Sequence, residues 1–245
     1  MIYTNRLVTG RFDFLTDLEG MLFDAESKRR LLERTQLHRI LANGRTWVFG
    51  EEYTLAVDDR GLTAVLEAHR RLLGDDTPVA SPVTDTDDRT RIVDLMLSKA
   101  SFGADRRHHL VVELKRPLVR LTLKELGQIT QYAIAIVKDE RFNSPQVTWD
   151  FWLIGDDMDS IVEELSHKPG QPHGLYSPGQ NYNIWVRRWA EILEENRQRL
   201  HFYREHLDHE PPPDEGLEGT LSKYLPSPMS PVSPVSPESR NLRAE

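Results

Sequence analysis

The chain has 245 residues, with 31 Lys and Arg against 39 Asp and Glu for a formal net charge of −8, and it contains no cysteine. The missing cysteines exclude disulfide staples, thiolate zinc centres and cysteine nucleophiles. Net acidity argues against a protein that coats nucleic acid by bulk charge, and leaves the placement of the charges as the question that matters.

No apolar run approaches the roughly 20 residues of a membrane helix; the longest is Ala133 to Val137. The amino end, MIYTNRLVTGRFDF, lacks a charged region followed by an apolar block and a cleavage site. The expectation is a soluble cytoplasmic protein with no membrane partner.

Residues 1–25 show no decisive periodicity, so their structure stays uncertain at this level. Residues 26–42 (ESKRRLLERTQLHRILA) place Leu37, Ile40 and Leu41 on one stripe after Leu32, and Asn43-Gly44 supplies a stop, which predicts a first helix. Trp47 to Val57 reads as extended, interrupted by Gly50, Glu51 and Glu52, and Leu62 to Leu73 has helical spacing. Residues 74–88 (GDDTPVASPVTDTDD) form a polar, proline-containing loop. Two strands follow, Arg91 to Leu97 and His109 to Lys115, joined by turn-rich residues and expected to pair as a hairpin. Thr122 and Glu125 have capping-box spacing and open a helix running to about Lys138. Val147 to Ile154 is a buried strand, a polar loop leads to a strand over Tyr182 to Val186, and a last helix covers Arg187 to Leu207. This succession predicts an α/β (α+β) fold, helices flanking one central sheet.

Eight of the fifteen prolines lie beyond residue 210, and Ser230 to Pro237 reads SPVSPVSP. Residues 211–245 therefore read as a disordered Pro/Ser-rich tail, because such a composition buries too little apolar surface to offset its ordering entropy. That leaves residues 26–210 as one domain.

Two charges stand inside strands that otherwise belong to a core. Asp94 sits in IVDLML and Glu113 in LVVELK. A buried carboxylate must pair, neutralise or bind a metal. Residues two apart on a strand share a face, so Glu113 and Lys115 project together, and hairpin pairing lets Asp94 lie across from them. Two carboxylates suit Mg2+, with Mn2+ as the alternative ion, and a neighbouring lysine orients the metal-bound water or stabilises charge on a phosphate. An internal ion pair among the same three residues is the competing explanation.

Asp94 followed across a hairpin by Glu113, Leu114 and Lys115 resembles the motif of the PD-(D/E)XK nuclease superfamily, although Val93 stands where proline is usual. Gln128 and Tyr132 in the next helix resemble the QxxxY motif of its RecB-type branches. The stretch from about Leu37 through Ile154, with LHRILANGRTWVFGEEY, RIVDLML, HHLVVELKRP and ELGQITQYAIAI, resembles the nuclease domain of Shedu-type bacterial anti-phage proteins. The resemblance implies a restriction-endonuclease-like mixed sheet and a metal-dependent DNA endonuclease acting in defence. It gives Asp94 and Glu113 as metal ligands, Lys115, Gln128 and Tyr132 as catalytic or supporting residues, and Glu33 as a further acid. Glu33 reads equally as a solvated helix acid among Arg29, Arg30 and Arg34. A homo-oligomer, or a regulatory or ATPase partner, is left open, since no GxxxxGK[ST] loop is present.

Between Arg89 and Lys124 nine basic residues face three acids, two of which are the proposed ligands. Arg91, Arg106, Arg107, Arg116 and Lys124 are thus the candidates for nucleic-acid contact, with Arg116 beside the site. Other constellations are weaker. His108 and His109 point to opposite strand faces, His206 and His209 lie among acids at a helix end, and Trp149 and Trp152 sit in an apolar strand. The alternative to an enzyme is a catalytically silent, nuclease-derived module that binds nucleic acid or serves as a scaffold.

Overall fold

The runs IVDLML and HLVVEL form neighbouring inner strands of a six-stranded mixed sheet in the computed structural model, which describes residues 2–30, 36–85, 87–101 and 106–207. Its side chains are described for 8–29, 36–85, 87–101 and 106–206. The chain divides into units Met1–Arg204 and Glu205–Glu245, and of the second only residues 205–207 are described. Glu33, His209 and the Pro/Ser-rich tail lie outside the described residues.

In chain order the elements are α1 (Ile2–Phe23), α2 (Ala25–Arg30), α3 (His38–Ala42), β1 (Thr54–Gly61), α4 (Leu62–Leu72), β2 (Ile92–Ser101), β3 (Arg106–Leu114), β4 (Arg120–Leu121), α5 (Leu123–Lys138), β5 (Val147–Gly155), β6 (Asp157–Met158), α6 (Ser160–Ser166), β7 (Leu175–Pro178), β8 (Tyr182–Arg188) and α7 (Trp189–Leu207). The main sheet has the order β1-β2-β3-β5-β8-β7, while β4 and β6 make a small parallel pair. β1, β2 and β3 are antiparallel neighbours, β3, β5 and β8 run parallel, and β7 returns antiparallel to β8. Helix α5 lies between parallel β3 and β5 in the chain, which is the connection that parallel neighbours require. The fold is therefore the mixed α/β sheet flanked by helices expected from the pattern.

Alternation along the inner strands divides the core in two. Met96, Val111, Trp149, Phe151 and Leu153 belong to one cluster with Val65 and Leu66 of α4 and Leu126, Ile129, Tyr132 and Ala133 of α5. Leu95, Leu97, Leu110, Val112 and Leu114 belong to a second with Leu15, Leu18 and Leu22 of α1 and Trp189, Ile192 and Leu193 of α7. Both faces of β2 and β3 are thus covered, which is why these strands read as nearly continuous apolar runs. The Thr122–Glu125 capping box that opens α5 is present in both directions.

Three stretches differ from expectation. Ile2–Phe23 is helical, and Leu15, Leu18 and Leu22 are fully buried. Its stripe is diluted by Gly10, Gly20 and polar residues, so no strong periodicity announces it. The segment expected to be extended from Trp47 begins as a 3-10 turn over Thr46–Phe49, with Trp47, Val48 and Phe49 buried, and the strand starts only at Thr54. A short apolar run is compatible with either geometry. The polar loop before β8 holds α6 and β7, both too short to show a period. Among the described residues no helix is long and apolar enough to cross a membrane.

Candidate active site

The site grows from the register of the β2–β3 hairpin. Leu95 pairs with Val112, so one step further along the ladder Asp94 stands across from Glu113. Their side chains share the sheet face covered by α5, and both residues are only 2% exposed. Asp94 Oδ2 accepts the backbone N–H of Leu114 at 2.7 Å, which locks this carboxylate to the neighbouring strand. The backbone N–H of Lys115 donates to Ile154 O at 2.8 Å, prolonging the β3–β5 contact and holding Lys115 on the same face as Glu113.

Around Glu113 the polar groups interlock. Lys115 Nζ donates to Glu113 Oε1 at 2.7 Å and to Gln128 Oε1 at 3.0 Å. Gln128 Nε2 donates to Glu113 Oε1 at 2.6 Å and to the Tyr132 hydroxyl at 2.8 Å. Tyr132 in turn donates to Ile92 O at 2.9 Å. Burial pushes the Tyr132 phenol up, the Glu113 carboxylate adds to this, and the Gln128 bond opposes it only in part, so the hydroxyl stays a neutral donor. Gln128 and Tyr132 reach this one point because residues four apart share a helix face.

Asp94, Glu113, Lys115, Gln128 and Tyr132 are therefore brought together. The basic candidates divide. Arg116 follows Lys115 directly and is exposed, and Lys124, with its side chain 90% exposed, is on the first turn of α5. Arg91 instead ties a loop to a helix, with Nε donating to Asp85 Oδ2 and Nη2 to Gln131 Oε1, each at 2.5 Å. Asp85 is itself buried and accepts the backbone N–H groups of Asp87 and Arg89. Arg106 and Arg107 begin β3, and Arg107 is six residues from Glu113, roughly 20 Å along an extended strand. They lie at the other end of the hairpin.

His108 and His109 point to opposite strand faces, as expected. His108 pairs with Asp150 at 2.8 Å, whereas His109, facing the other way, meets His69 at 3.1 Å and Ser98 at 3.0 Å. For Asp150, burial raises the pKa, but hydrogen bonds from His108, Asn183 and Trp185 outweigh it and leave the carboxyl below its usual range. Burial depresses His69 to about 4 and, with the neighbouring His69 and Arg107 charges, His109 to about 3. Trp149 is a core residue stacked near Phe151. Glu51 is gripped by Arg11 of α1 through two 2.8 Å bonds, away from the carboxylate pair. Sequence reasoning missed a cluster of His167, His173 and Glu191 whose ligand-type atoms lie within 4.8 Å of one another. Its intervals match no familiar metal motif, and Pro169, Gly170, Pro172 and Gly174 are the hint of tight turns there.

No protein-family model, curated protein or solved structure matches the chain.

Proposed function

We propose that the chain is a Mg2+-dependent DNA endonuclease of the PD-(D/E)XK type, acting in the bacterial cytoplasm against invading DNA. The observation that carries this reading is the pairing of Asp94 and Glu113 on adjacent strands with Lys115 bonded to Glu113. The donor set fits the ion: two carboxylates, without thiolate or imidazole, are the ligand type that magnesium takes, with waters completing its shell. Magnesium bound by these two residues would supply an acidified water and charge neutralisation at the scissile phosphate.

The chain's own residues set up that chemistry. Asp94 is fixed by the Leu114 N–H, and Glu113 by Lys115 and Gln128. Lys115 carries a positive charge where a phosphate oxygen or the attacking water needs one. Arg116 and Lys124, both exposed, provide backbone contacts for the DNA strand. The same supports suit an enzyme that works alone, as a homo-oligomer or beside an ATPase partner.

The test is incubation of the purified full chain with supercoiled and linear DNA, with Mg2+ or EDTA, beside Glu113→Gln and Lys115→Ala. The expected result is cleavage that needs Mg2+ or Mn2+ and is lost in both variants. Cleavage that persists in EDTA and in the variants overturns the mechanism. One observation favours the second reading, a silent nucleic-acid-binding module: Lys115 Nζ pairs with Glu113 Oε1 at 2.7 Å, so that carboxylate has a charge partner within the chain itself. Salt-dependent DNA binding with no cutting in any divalent metal would select it.

A further inference from the structure

A second group of metal-ligating side chains lies on elements that contribute nothing to the Asp94–Glu113 site. His167 closes α6, His173 precedes β7, and Glu191 is in the first turn of α7. His167 Nε2 and His173 Nε2 are 3.0 Å apart, and His173 Nε2 is 2.9 Å from Glu191 Oε1.

The protons do not suffice for these contacts. His167 Nδ1 lies 2.9 Å from the carbonyl oxygen of Glu163, which only accepts, and 3.0 Å from Ser166 Oγ, whose own proton goes to Val162 O at 2.7 Å, so in the neutral ring Nδ1 carries the proton and Nε2 presents a lone pair. Glu191 Oε1 presents another. Both converge on His173 Nε2, whose single N–H serves one of them. Three Lewis bases around one proton is an arrangement that a cation satisfies better.

The surrounding groups hold the three in place. The Nδ1–H to backbone carbonyl bond of His167 is the kind of outer contact that orients a ligating imidazole and sets its tautomer. Glu191 uses Oε2 for the backbone N–H of Arg188 at 3.2 Å, the reaching-back half of a capping box, which leaves Oε1 directed at His173. The loop carrying His173 is also constrained. Gly174 has φ +81, and a Cβ there would lie 2.6 Å from Val186 O, so the chain closes onto β8 through Val186 N–H to Gly174 O at 2.8 Å.

We propose that His167, His173 and Glu191 form a site for a divalent transition-metal cation of the zinc class, separate from the carboxylate pair. Tetrahedral zinc with bonds of about 2.0–2.1 Å separates its ligand atoms by about 3.3 Å; to admit it the two close contacts would lengthen by a few tenths of an ångström, and His167 and Glu191, whose ligand atoms lie within 4.8 Å, would settle at the same spacing. Two imidazoles and one carboxylate favour zinc over magnesium. Three protein ligands leave a fourth position for water. Binding displaces the proton on His173 Nε2.

The experiment uses the untagged full chain, stripped with chelator, and reads Zn2+ uptake by competition with a chromophoric chelator. Wild type and an Asp94→Asn/Glu113→Gln double variant are each expected to take one equivalent with the same affinity. His167→Gln, His173→Gln and Glu191→Gln are each expected to weaken uptake by more than about tenfold. The His173 side chain is 62% exposed, so His173→Gln preserves the fold and decides the matter if His167→Gln does not fold. No uptake by wild type, unchanged affinity in His173→Gln, or loss of the equivalent in an Asp94/Glu113 variant that keeps the wild-type circular-dichroism spectrum overturns the proposal; if that variant unfolds, Arg116→Ala, exposed beside the carboxylate pair, takes its place as the control.

Discussion

Gln128 Nε2 donates to Glu113 Oε1 at 2.6 Å, tying the first half of α5 to the end of β3. Because its Oε1 also accepts from Lys115, one amide bridges both members of the ion pair. On the proposed nuclease reading, Gln128 acts on cleavage indirectly, through the orientation of Glu113 and Lys115. Gln128→Ala is expected to raise the Mg2+ concentration needed for half-maximal cleavage by roughly tenfold or more, the scale of outer contacts in metal sites. A magnesium titration of the nicking rate checks it, and an unchanged midpoint would show that the amide is dispensable.

The Glu113–Lys115 pair is buried, with side chains 3% and 9% exposed. Removing one partner leaves the other charge in a poor solvent. Lys115→Met is expected to lower stability by about 3–5 kcal/mol without divalent metal. Added Mg2+ should recover part of this loss, since a ligand binding only the folded state stabilises it by mass action. Urea unfolding with EDTA and with excess Mg2+ measures both.

His69 and His109 sit against each other in the core with pKa values held at about 4 and about 3. An unfolded histidine titrates near 6.5. Their folded values are depressed, so the unfolded chain takes up more protons as pH falls below about 6.5. Stability that is complete above that point should decline between about pH 6.5 and 3, where the lower of the two folded values lies, by on the order of a few kcal/mol. Urea midpoints at about pH 7.5 and 5 should differ, and His69→Leu/His109→Leu should flatten the difference. Equal wild-type midpoints would contradict this account.

Leu15, Leu18 and Leu22 of α1 are fully buried in the same cluster as Leu95 and Val112. Leu18→Ala should therefore cost about 2–5 kcal/mol, the range for emptying a core leucine site. A chain beginning at residue 26 uncovers that face of the sheet and should lose its cooperative thermal transition. A truncated chain melting like the full one would show that α1 is an accessory.

Arg116 and Lys124 are near the carboxylate pair, whereas Arg106 and Arg107 are at the other end of β3. In a salt titration of DNA affinity, Arg116→Ala should reduce the slope by about one. Arg106→Ala/Arg107→Ala should change it less and leave cleavage intact. The opposite ranking would move the nucleic-acid path to the hairpin's connecting end.

What is legible in the sequence rests on signals confined to short stretches. Two-sided burial makes β2 and β3 visible, and Asp94 and Glu113 stand out because a charge inside such a run needs a partner. Thr122 and Glu125 mark the start of α5 because the Thr122 N–H and hydroxyl both donate to Glu125 Oε2, only three residues on. The structural role of Arg91 is hidden because its partners, Asp85 and Gln131, come from a loop and from a polar position of α5 distant in sequence. The His167, His173 and Glu191 cluster is invisible for the same reason, since a loop turning at Gly170 and Gly174 creates it. Helix α1 has only a sparse apolar stripe, and its burial depends on a sheet formed much later in the chain.

The hairpin brings Asp94 and Glu113 together at its open end, with the connection between Ser101 and Arg106 at the other. In engineering terms, this makes the connection a splice point. A reporter, an affinity handle or a second binding module inserted there would ride some 20 Å along the strands from the carboxylates.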